Sequence, residues 1–437
     1  MALTEPALDT GGAPAKEKGV ATGREFILLV TALMATTALG IDLMLPAFPE
    51  IREQFGMAPD STQVTWIVTA YFLGMAAGPW LYGPASDRFG RRIPIYAGLA
   101  LYGVSAATAA LAPSWQLIVI SRFVWGLGAA GPRSLSVAMI RDRYEGDAMA
   151  RLMSMIMAVF LLVPIVAPGL GAGLIAFLPW RAVFWFPALM AGVLMVWARR
   201  LPETLPPERR RPFTWRAVGQ AGREVVTHRQ TMALTIAMTF LFATMTTYLA
   251  GSEVILEDVY GYGTWFPLFF GAIAVLLAVN SLNNARLVNR VGVTRLLRRT
   301  AVAGVVAASA LAIISFTGNG KPNFWLFSLA LCLVIPIAQG LSPNSNTLAM
   351  TPVPHVAGTA SAIIATVTAA GGALLGGLAS GAFDGTVRPF ATYVLVFICL
   401  AAGFIFWGTA HGDRHPRSPA EPVAPAVDPV IEPIVER

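Results

Sequence analysis

A chain of 437 residues is long enough for two or three soluble domains, but 56% of its residues are apolar, 13% are charged and the mean hydropathy is +0.64. This composition excludes an ordinary soluble protein and predicts an integral membrane protein of the all-α class. The net charge of +7 is compatible with a nucleic-acid partner, so the positions of the basic residues along the chain have to decide whether one is expected.

Twelve apolar stretches follow one another along the chain. Each has roughly the twenty residues that cross a bilayer as a helix. Segments such as "ALAIISF" do not alternate polar and apolar residues, so the strands of a membrane β-barrel are excluded. We predict transmembrane helices over residues 24–46, 62–84, 93–111, 115–140, 148–175, 181–199, 230–256, 264–286, 295–317, 322–350, 355–381 and 388–410.

Polar segments divide this chain into two halves and two tails. The longest internal segment, residues 200–229, is basic and Pro-rich and is predicted to be a cytoplasmic linker. Residues 1–23 lack the apolar core of a removable signal peptide, and residues 411–437 are rich in Pro, Ala and acids. We expect both to be disordered cytoplasmic tails. The predicted six-helix bundles are residues 24–199 and 230–410.

The basic residues lie mostly on one side of the predicted topology. If the N-terminus is cytoplasmic, the tails and the even-numbered connections hold most of the 31 Lys and Arg residues. This asymmetry predicts that both termini are cytoplasmic. The charge is then explained by topology and by anionic lipid headgroups, so no nucleic-acid partner is expected. Arg122 and Arg133 are exceptions, because both lie within the fourth predicted span.

A short repeat relates the two halves. "DRFG" at residues 87–90 follows the second span, and "NRVG" at residues 289–292 follows the eighth. Six plus six helices, a long central linker and a matching hinge in each half predict two parallel repeats. A substrate would then bind between the halves, near the middle of the membrane.

The hinge "GPASDRFGRR" at residues 83–92 is similar to the signature that follows the second helix in the major facilitator superfamily. The segments "GIDLMLPAFPEI", "SRFVWGLGAAGPRSLSVAMIRDRY", "VPIVAPGLGAGL", "WRAVFWF" and "LPET", in chain order, resemble its drug:proton antiporter branch with twelve helices. The likeness is closest to the bicyclomycin, chloramphenicol and florfenicol exporters of bacteria. The sequence departs from their pattern at Trp125, at Ala167 before Pro168, and in the added Arg133.

The resemblance implies a bacterial inner-membrane exporter that exchanges small amphipathic compounds, such as antibiotic-like drugs, for protons by alternating access. Small-molecule substrates, protons and membrane lipids are the partners it implies, with a monomer and no cofactor. Export of an endogenous metabolite or amino acid by the same mechanism is the main alternative, and a transport-silent receptor is a second one. The sequence contains no HExxH motif or P-loop, so an enzyme is not expected.

Asp42 and Arg122 are the candidate proton-coupling residues. Asp42 is the only carboxylate well inside the first six predicted spans, and an intramembrane charge costs about 2.5 to 3.5 kcal/mol on insertion scales. It could titrate, or it could instead cap a helix end or pair with Arg52. The resemblance assigns Arg122 to proton coupling, and its similar depth would let it act electrostatically on Asp42 or on a water in the outer cavity. A purely structural salt bridge is the alternative for Arg122.

Arg133 lies eleven residues after Arg122, on the same helix face and deeper in the predicted cavity. Two cations against one acid would favour zwitterionic, anionic or carbonyl-rich substrates, although Arg133 could instead contact backbone carbonyls. Aromatic and polar side chains could stack on such compounds and hydrogen-bond to them. The further candidates for the substrate cavity are Trp66, Tyr71, Phe123, Trp125, Phe240, Tyr248, Asn280, Gln339 and Asn346.

Two segments are candidate gates. In the fifth span, Pro164 and Pro168 would bend the helix, and Gly169 and its neighbours would permit close approach of another helix. In the hinge, Gly83 would allow close packing and Gly90 a turn, and the arginines would hold the hinge in the cytoplasm. The resemblance adds a latch, in which Asp87 bridges to cytoplasmic arginines and faces the start of helix eleven near residues 355–358. The hinge candidates are Gly83, Asp87, Arg88, Gly90, Arg91 and Arg92.

Overall fold

The computed structural model describes residues 23–58, 61–144, 146–210, 215–353 and 356–410. Within these ranges the regular structure is entirely helical. The predicted tails lie outside the described residues, except for Gly23. His355 of the predicted latch also lies outside them.

The α-helices are α1 (Gly23–Asp42), α2 (Phe48–Gln54), α3 (Trp66–Phe89), α4 (Arg92–Leu111), α5 (Trp115–Arg143), α6 (Gly146–Phe177), α7 (Ala182–Trp197), α8 (Trp215–Thr227), α9 (Arg229–Val254), α10 (Phe266–Val291), α11 (Val293–Ser315), α12 (Phe324–Met350), α13 (Ala357–Gly381) and α14 (Arg388–Thr409).

Twelve of these helices are membrane-spanning, which confirms the predicted fold class. Ten helical segments among the described residues are long and apolar enough to cross a bilayer. The other two are α5 and α6, of 29 and 32 residues. Helix α5 is less apolar because Arg122 and Arg133 lie within it. At a rise of 1.5 Å per residue it is still about 43 Å long, which exceeds the thickness of the hydrocarbon core.

The first predicted span continues too far. Helix α1 ends at Asp42, and a 3₁₀ turn at Leu45–Ala47 then leads into the short helix α2. Pro46 occupies one of the first positions of that turn. Proline cannot donate the backbone hydrogen bond that would continue α1, but it fits the start of a new turn. Asp42 therefore lies at a helix end rather than inside a helix.

The spanning helices pack as two sets of six. Helices α1 and α3–α7 contact one another, and α9–α14 contact one another. Between the sets, α3 packs against α13 and α6 packs against α10. We call the end of the bundle where α1 begins and α14 ends the terminal face, and the other end the opposite face. The site lies between the two sets.

The short sequence repeat has a structural counterpart at the terminal face. Helix α3 ends at Phe89, where the N–H of Gly90 donates to the carbonyl of Ser86 at 3.1 Å. Helix α10 ends in the same way before Gly292, with φ of 85° against 86° at Gly90. Positive φ is unstrained in glycine alone. The two hinges therefore turn the chain by the same device.

Candidate functional site

A central cavity of about 520 Å³ lies between the two sets of helices. This volume lies within the range of sites that hold one small molecule. Helices α1, α3, α5 and α6 supply one wall, and α9, α10 and α12 supply the other. The lining is mostly apolar, with a few polar groups. Among the described lining residues, Asp42 and Arg133 are the charged ones.

Asp42 lies at the last residue of α1 and lines the central cavity with 3% of its surface exposed. Within the part of the chain that the structure describes, its carboxylate has no ion pair and no hydrogen bond. The predicted alternative, a pair with Arg52, is therefore not formed. An acid that is buried, unpaired and next to a cavity is suited to gaining and losing a proton.

Arg122 lies beside the cavity, behind its wall. The side chain is fully buried in α5, and its guanidinium lies 4.4 Å from the ring centre of Tyr71 and 4.5 Å from that of Trp125. Nη1 donates to the carbonyl of Gly40 at 2.8 Å, and Nε donates to the carbonyl of Ile67 at 3.2 Å. Arg122 thus joins α5 to α1 and to the start of α3.

The structure contradicts the alternative of a salt bridge for Arg122, since the recorded partners among the described residues are two backbone carbonyls and two rings. Proton coupling by Arg122 stays a prediction. Gly40 precedes Asp42 by two residues in the last turn of α1. The connection from Arg122 to Asp42 therefore passes through the backbone. Trp125 supplies a ring where the resembling exporters have glutamine.

Arg133 lies on the cavity side of α5 and is exposed to the central cavity. Its Nη1 donates to Sδ of Met75 at 3.4 Å. The protein encloses Arg133, but the side chain borders the open space of the cavity. The predicted role in the cavity thus agrees with the position of the side chain.

Four of the predicted cavity residues, Arg133, Tyr248, Asn280 and Gln339, line the central cavity. Tyr248 stacks on Phe270 with ring centres 5.5 Å apart, and its hydroxyl is buried with no hydrogen-bond partner among the described residues. The Nε2 atom of Gln339 is also buried and unpartnered within those ranges. These two polar atoms are therefore sealed from solvent at the wall of the cavity and have no hydrogen-bond partner within the described residues.

The other predicted cavity residues do not line the cavity. Each helical residue turns by about 100°, so the periodicity of an apolar span leaves its phase undetermined. Tyr71 and Trp125 are buried around Arg122, while Phe240 stacks on Phe397 and Phe404 at 6.1 Å. The three exposed residues outside the lining are Trp66, Phe123 and Asn346.

Sequence reasoning missed several lining residues. Phe72 and Phe242 come from different sets, and their rings meet edge to face at 5.2 Å in the lining. Asn284 also lines the cavity, next to Asn280. An asparagine in an apolar span is the signal that could have revealed Asn284. The phenylalanines gave no such signal, because most phenylalanines in membrane helices face lipid or neighbouring helices.

The opposite face is closed by a buried ion-pair cluster. Arg52 of α2 pairs with Glu253 of α9 at 3.2 Å and with Asp258, in the turn after α9, at 3.5 Å. The side chains of Arg52 and Glu253 are only 4% and 3% exposed. These bonds join the two sets of helices. Nearby, α3 and α13 approach so closely that a side chain at Gly377 would meet Thr69.

Replacing Arg52 by alanine is expected to open the opposite face. Removing one partner of a buried pair costs about 3 to 5 kcal/mol, because the other charge remains unpaired. Even 1.4 kcal/mol corresponds to about a tenfold change in a population. In an Ala38→Cys variant with Cys332 and Cys399 replaced by serine, we expect at least that increase in labelling by an impermeant maleimide at the opposite face. Ala38 lines the cavity.

The matched control for this prediction is Arg52→Ala combined with Glu253→Ala. The double variant removes both charges of the more deeply buried pair and leaves only Asp258 without Arg52, so its labelling rate should fall between those of the wild type and the single variant. Unchanged labelling in the single variant would contradict a role of Arg52 in closing this face.

The hinge at residues 83–92 is fixed by two acids from elsewhere in the chain. The side chain of Arg91 donates to Asp142 at the end of α5, at 2.9 and 3.4 Å, and to Asp87 at 3.0 Å. The carboxylate of Glu203 accepts from the backbone N–H groups of Arg91 and Arg92 at 2.9 and 3.3 Å. Burial lowers the pKa of Arg91, but the two aspartates outweigh it and raise that pKa above its usual value.

The hinge therefore differs in part from the prediction. Asp87 bonds to Arg91, its side chain is 56% exposed, and the start of the predicted latch lies partly outside the described residues. Arg88 lies over the ring of Phe89 at 5.1 Å, and Arg92 donates to the carbonyl of Arg199 at 3.2 Å. The prediction for Gly83 is wrong, because an added Cβ would meet only open space.

The glycines of α6 need a similar correction. An added Cβ at Gly169 has open space around it, so the predicted close approach is not there. At Gly171 an added Cβ would collide with the carbonyl of Leu43. The close approach of α6 to the end of α1 therefore occurs at Gly171, one of the neighbouring glycines for which it was predicted, and not at Gly169. Pro164 lines the central cavity, and Pro168 is buried inside α6.

Replacing Asp142 by asparagine should destabilise the hinge more than replacing Asp87 by asparagine. Asp142 is 18% exposed and accepts from Arg91 and from Thr204, whereas Asp87 is mostly exposed to solvent. Hydrogen bonds to charged groups contribute about 1.5 to 3 kcal/mol when sheltered, and exposed pairs contribute much less. Thermal unfolding in detergent measures the difference. Equal losses of stability in the two variants would contradict it.

Three comparisons with known proteins bear on this arrangement. A model of the Major Facilitator Superfamily matches residues 30–377. A bicyclomycin resistance protein homolog of Haemophilus influenzae is 28% identical over 368 residues, which cover 83% of this chain and 91% of that protein. The chloramphenicol resistance protein CraA of Acinetobacter baumannii is 28% identical over 248 residues, covering 54% of this chain and 58% of that protein.

Among solved structures, a D-xylose-proton symporter superimposes with a TM-score of 0.69 and 14% identity, covering 88% of this chain and 97% of the symporter. At that identity the likeness concerns the fold. The comparisons confirm the family that the sequence motifs indicated.

Proposed function

The chain belongs to the Major Facilitator Superfamily, and on that premise we propose that it exports small amphipathic compounds, antibiotic-like drugs among them, in exchange for protons. It is a multi-pass membrane transporter of small molecules, and it is not an enzyme. Relatives named for bicyclomycin, chloramphenicol and multidrug resistance support the drug substrates. The observation that carries the proton coupling is the buried, unpaired carboxylate of Asp42 in the central cavity.

The exchange follows from what Asp42 can do. The carboxyl group of Asp42 is either ionised or protonated, and a given substrate binds more tightly to one of these two forms. If substrate binds more tightly to the charged form, protonation weakens its binding, and each export step carries a proton in the other direction. The conformational step is the closing of one face while the other opens. Arg52, Glu253 and Asp258 close the opposite face in the present conformation.

The orientation belongs to this proposal. The terminal face carries most of the basic residues, which supports a cytoplasmic location for it and for both termini. Substrate would then enter the central cavity from the cytoplasm, and the membrane would be the inner membrane of a bacterium. We further propose a monomer with bundles at 24–199 and 230–410 and a linker at 200–229. The linker includes helix α8, which packs against α13.

We assign Arg122 a positioning role in the coupling. It holds the carbonyl of Gly40, two residues before Asp42, and the carbonyl of Ile67 at the start of α3. A shift of α1 relative to α5 would change both the contact at Gly40 and the surroundings of Asp42. Arg122 thereby couples the protonation of Asp42 to the packing of α1, α3 and α5. The buried Nη2 atom, which has no partner among the described residues, leaves room for a different contact in another conformation.

Drug tolerance in a bacterial host that lacks its own efflux pumps tests the proposed function. We expect cells that express the wild-type chain to tolerate at least one compound of a panel better than cells with an empty vector. That advantage should disappear when a protonophore collapses the proton gradient. An advantage for no compound, or one that survives the loss of the gradient, would contradict proton-driven drug export. Export of an endogenous metabolite would appear as normal proton-coupled transport of that metabolite with no change in drug tolerance.

A further inference from the structure

The central cavity carries one charge of each sign. Asp42 at the end of α1 and Arg133 of α5 both line it, and they are the charged residues of the described lining. The carboxylate of Asp42 has no ion pair in the described part of the chain, so the two charges are not joined to each other. A ligand in the cavity can therefore meet both charges at once.

A hydrogen bond between α1 and α5 shows how far apart these two residues lie. Thr37 of α1 donates to the carbonyl of Ala129 of α5 at 3.3 Å, and the two helices run in opposite directions. Asp42 lies five residues after Thr37, toward the opposite face. Arg133 lies four residues after Ala129, toward the terminal face. At the helical rise per residue, the two Cα atoms differ in depth by roughly 13 Å.

The two side chains point into the interval between them. Each Cα–Cβ bond in a helix tilts toward the N-terminus of that helix. The side chain of Asp42 therefore tilts toward the terminal face, and that of Arg133 tilts toward the opposite face. A single ligand can reach both charged groups if its own charges are separated by several ångströms.

Arg133 can bind an anion while it keeps its contact with the protein. Its Nη1 donates to Sδ of Met75 at 3.4 Å, and a thioether sulfur is a weak acceptor. A guanidinium carries five N–H donors in a planar fork that matches the two oxygens of a carboxylate. The sequence adds this arginine to the pattern of the exporters that it resembles. An anion-binding group in the cavity is therefore a property of this chain.

The two charges together favour a ligand that carries both signs. Burying a charge is costly unless an opposite charge or hydrogen bonds compensate it. A cation next to Asp42 brings no counter-charge to Arg133, and an anion next to Arg133 brings none to Asp42. A zwitterion brings a counter-charge to each. The rings of Phe72 and Phe242, which meet edge to face at 5.2 Å in the lining, offer an apolar surface for an aromatic body.

We propose that Asp42 and Arg133 form a two-charge site that selects aromatic zwitterions whose ammonium and carboxylate lie at opposite ends of a ring. This inference rests on the proposed function, because it names the substrate class of the same cavity. Protonation of Asp42 removes the counter-charge of the substrate's ammonium, so the proton and the substrate compete for one group. Arg133 holds the carboxylate of the substrate in both protonation states of Asp42.

Equilibrium binding to the full-length protein in detergent tests the two-charge site without a proton gradient. The probe is 4-(aminomethyl)benzoic acid, a zwitterion with its charges at opposite ends of one ring. Its methyl ester carries only the positive charge, and its N-acetyl derivative carries only the negative charge. The wild type should bind the zwitterion about tenfold more tightly than either derivative. Phenylalanine, whose two charges lie on one carbon atom, should also bind about tenfold more weakly.

Single replacements assign each end of the probe to one residue. In Arg133→Gln, which keeps a hydrogen-bond donor without the charge, the Kd for the zwitterion should rise about tenfold, and binding of the ester should not weaken. In Asp42→Asn the Kd for the zwitterion should also rise, and binding of the N-acetyl derivative should not weaken. A merely structural role of Arg133 would instead weaken the binding of all three compounds alike.

Arg286→Gln is the matched control, since Arg286 is exposed on α10 and lies outside the cavity lining. Its affinities should match those of the wild type. Thermal unfolding of each variant checks that the protein is folded. The comparison of the four compounds on the wild type holds whether or not a variant folds.

The two-charge site is overturned if the wild type binds the ester, the N-acetyl derivative or phenylalanine as tightly as the zwitterion, or if it binds none of them. Equal weakening of the zwitterion and the ester in Arg133→Gln would also overturn it. These outcomes are distinct from failure of the proposed function. Proton-driven export with no preference for the zwitterion would leave the function intact. Binding that depends on Arg133, with transport that ignores the proton gradient, would overturn the function and leave the two-charge site intact.

Discussion

Replacing Asp42 by asparagine is expected to reduce proton-driven export strongly, while weakened substrate binding and substrate exchange persist at saturating substrate concentrations. Asparagine has nearly the same shape and keeps the wall of the cavity, but it cannot exchange a proton. The rate of gradient-driven export in vesicles should fall about a hundredfold, within the range of coupling free energies of 1 to 3 kcal/mol. Exchange of labelled for unlabelled substrate without a gradient should continue, because that process requires only the conformational change.

Asp384→Asn provides a control for the effect of removing an acid. Asp384 bonds to Thr386 in a surface connection between α13 and α14. Its replacement should leave export unchanged. Export by Asp42→Asn at the wild-type rate would show that another group carries the proton. Loss of exchange together with export would indicate damage to substrate binding rather than to coupling.

The second large effect is expected at Arg122. Replacement by alanine removes two hydrogen bonds to buried carbonyls and two ring contacts, and it leaves a void between α1, α3 and α5. Each hydrogen bond to a charged group contributes about 1.5 to 3 kcal/mol. The cost of burying the guanidinium offsets part of this. We expect a net loss of about 2 to 5 kcal/mol, visible as a lower unfolding temperature, together with loss of export.

Arg122→Lys separates positioning from stability. Lysine can still reach one carbonyl, but it lacks the planar group that lies between Tyr71 and Trp125. The variant should therefore fold and show an altered pH profile of export. Arg88→Ala is the matched control, because Arg88 is exposed and lies over a single ring. An Arg122→Lys variant with the wild-type pH profile would contradict the positioning role.

The fold could be predicted from the sequence, because each spanning helix needs a long apolar segment whatever its neighbours are. The hinge glycines could also be predicted, since positive φ at Gly90 and Gly292 depends on local chain geometry. Asp42 could be chosen from the sequence as a candidate functional residue, because an intramembrane carboxylate is energetically costly. Its position in the cavity supports that choice, although its proton-coupling role remains a prediction.

The arrangement of the site could not be predicted to the same degree. The rotational orientation of α5 about its axis places Arg133 at the cavity, whereas Phe123 and Trp125 on the same helix do not line it. The pair between Arg52 and Glu253 joins residues 201 positions apart, and nothing in the local sequence of either residue indicates the other. Such contacts depend on how the two sets of helices pack.

Proton release on substrate binding tests the central claim most directly. Purified wild-type protein in weakly buffered detergent solution should release a proton when a compound from the tolerance panel binds, because the substrate prefers the charged form of Asp42. The Asp42→Asn variant resembles the protonated form, so it should bind the same compound more weakly and, at saturating concentrations, release no proton. The account would be contradicted if the wild type binds without proton release, or if Asp42→Asn releases as many protons as the wild type.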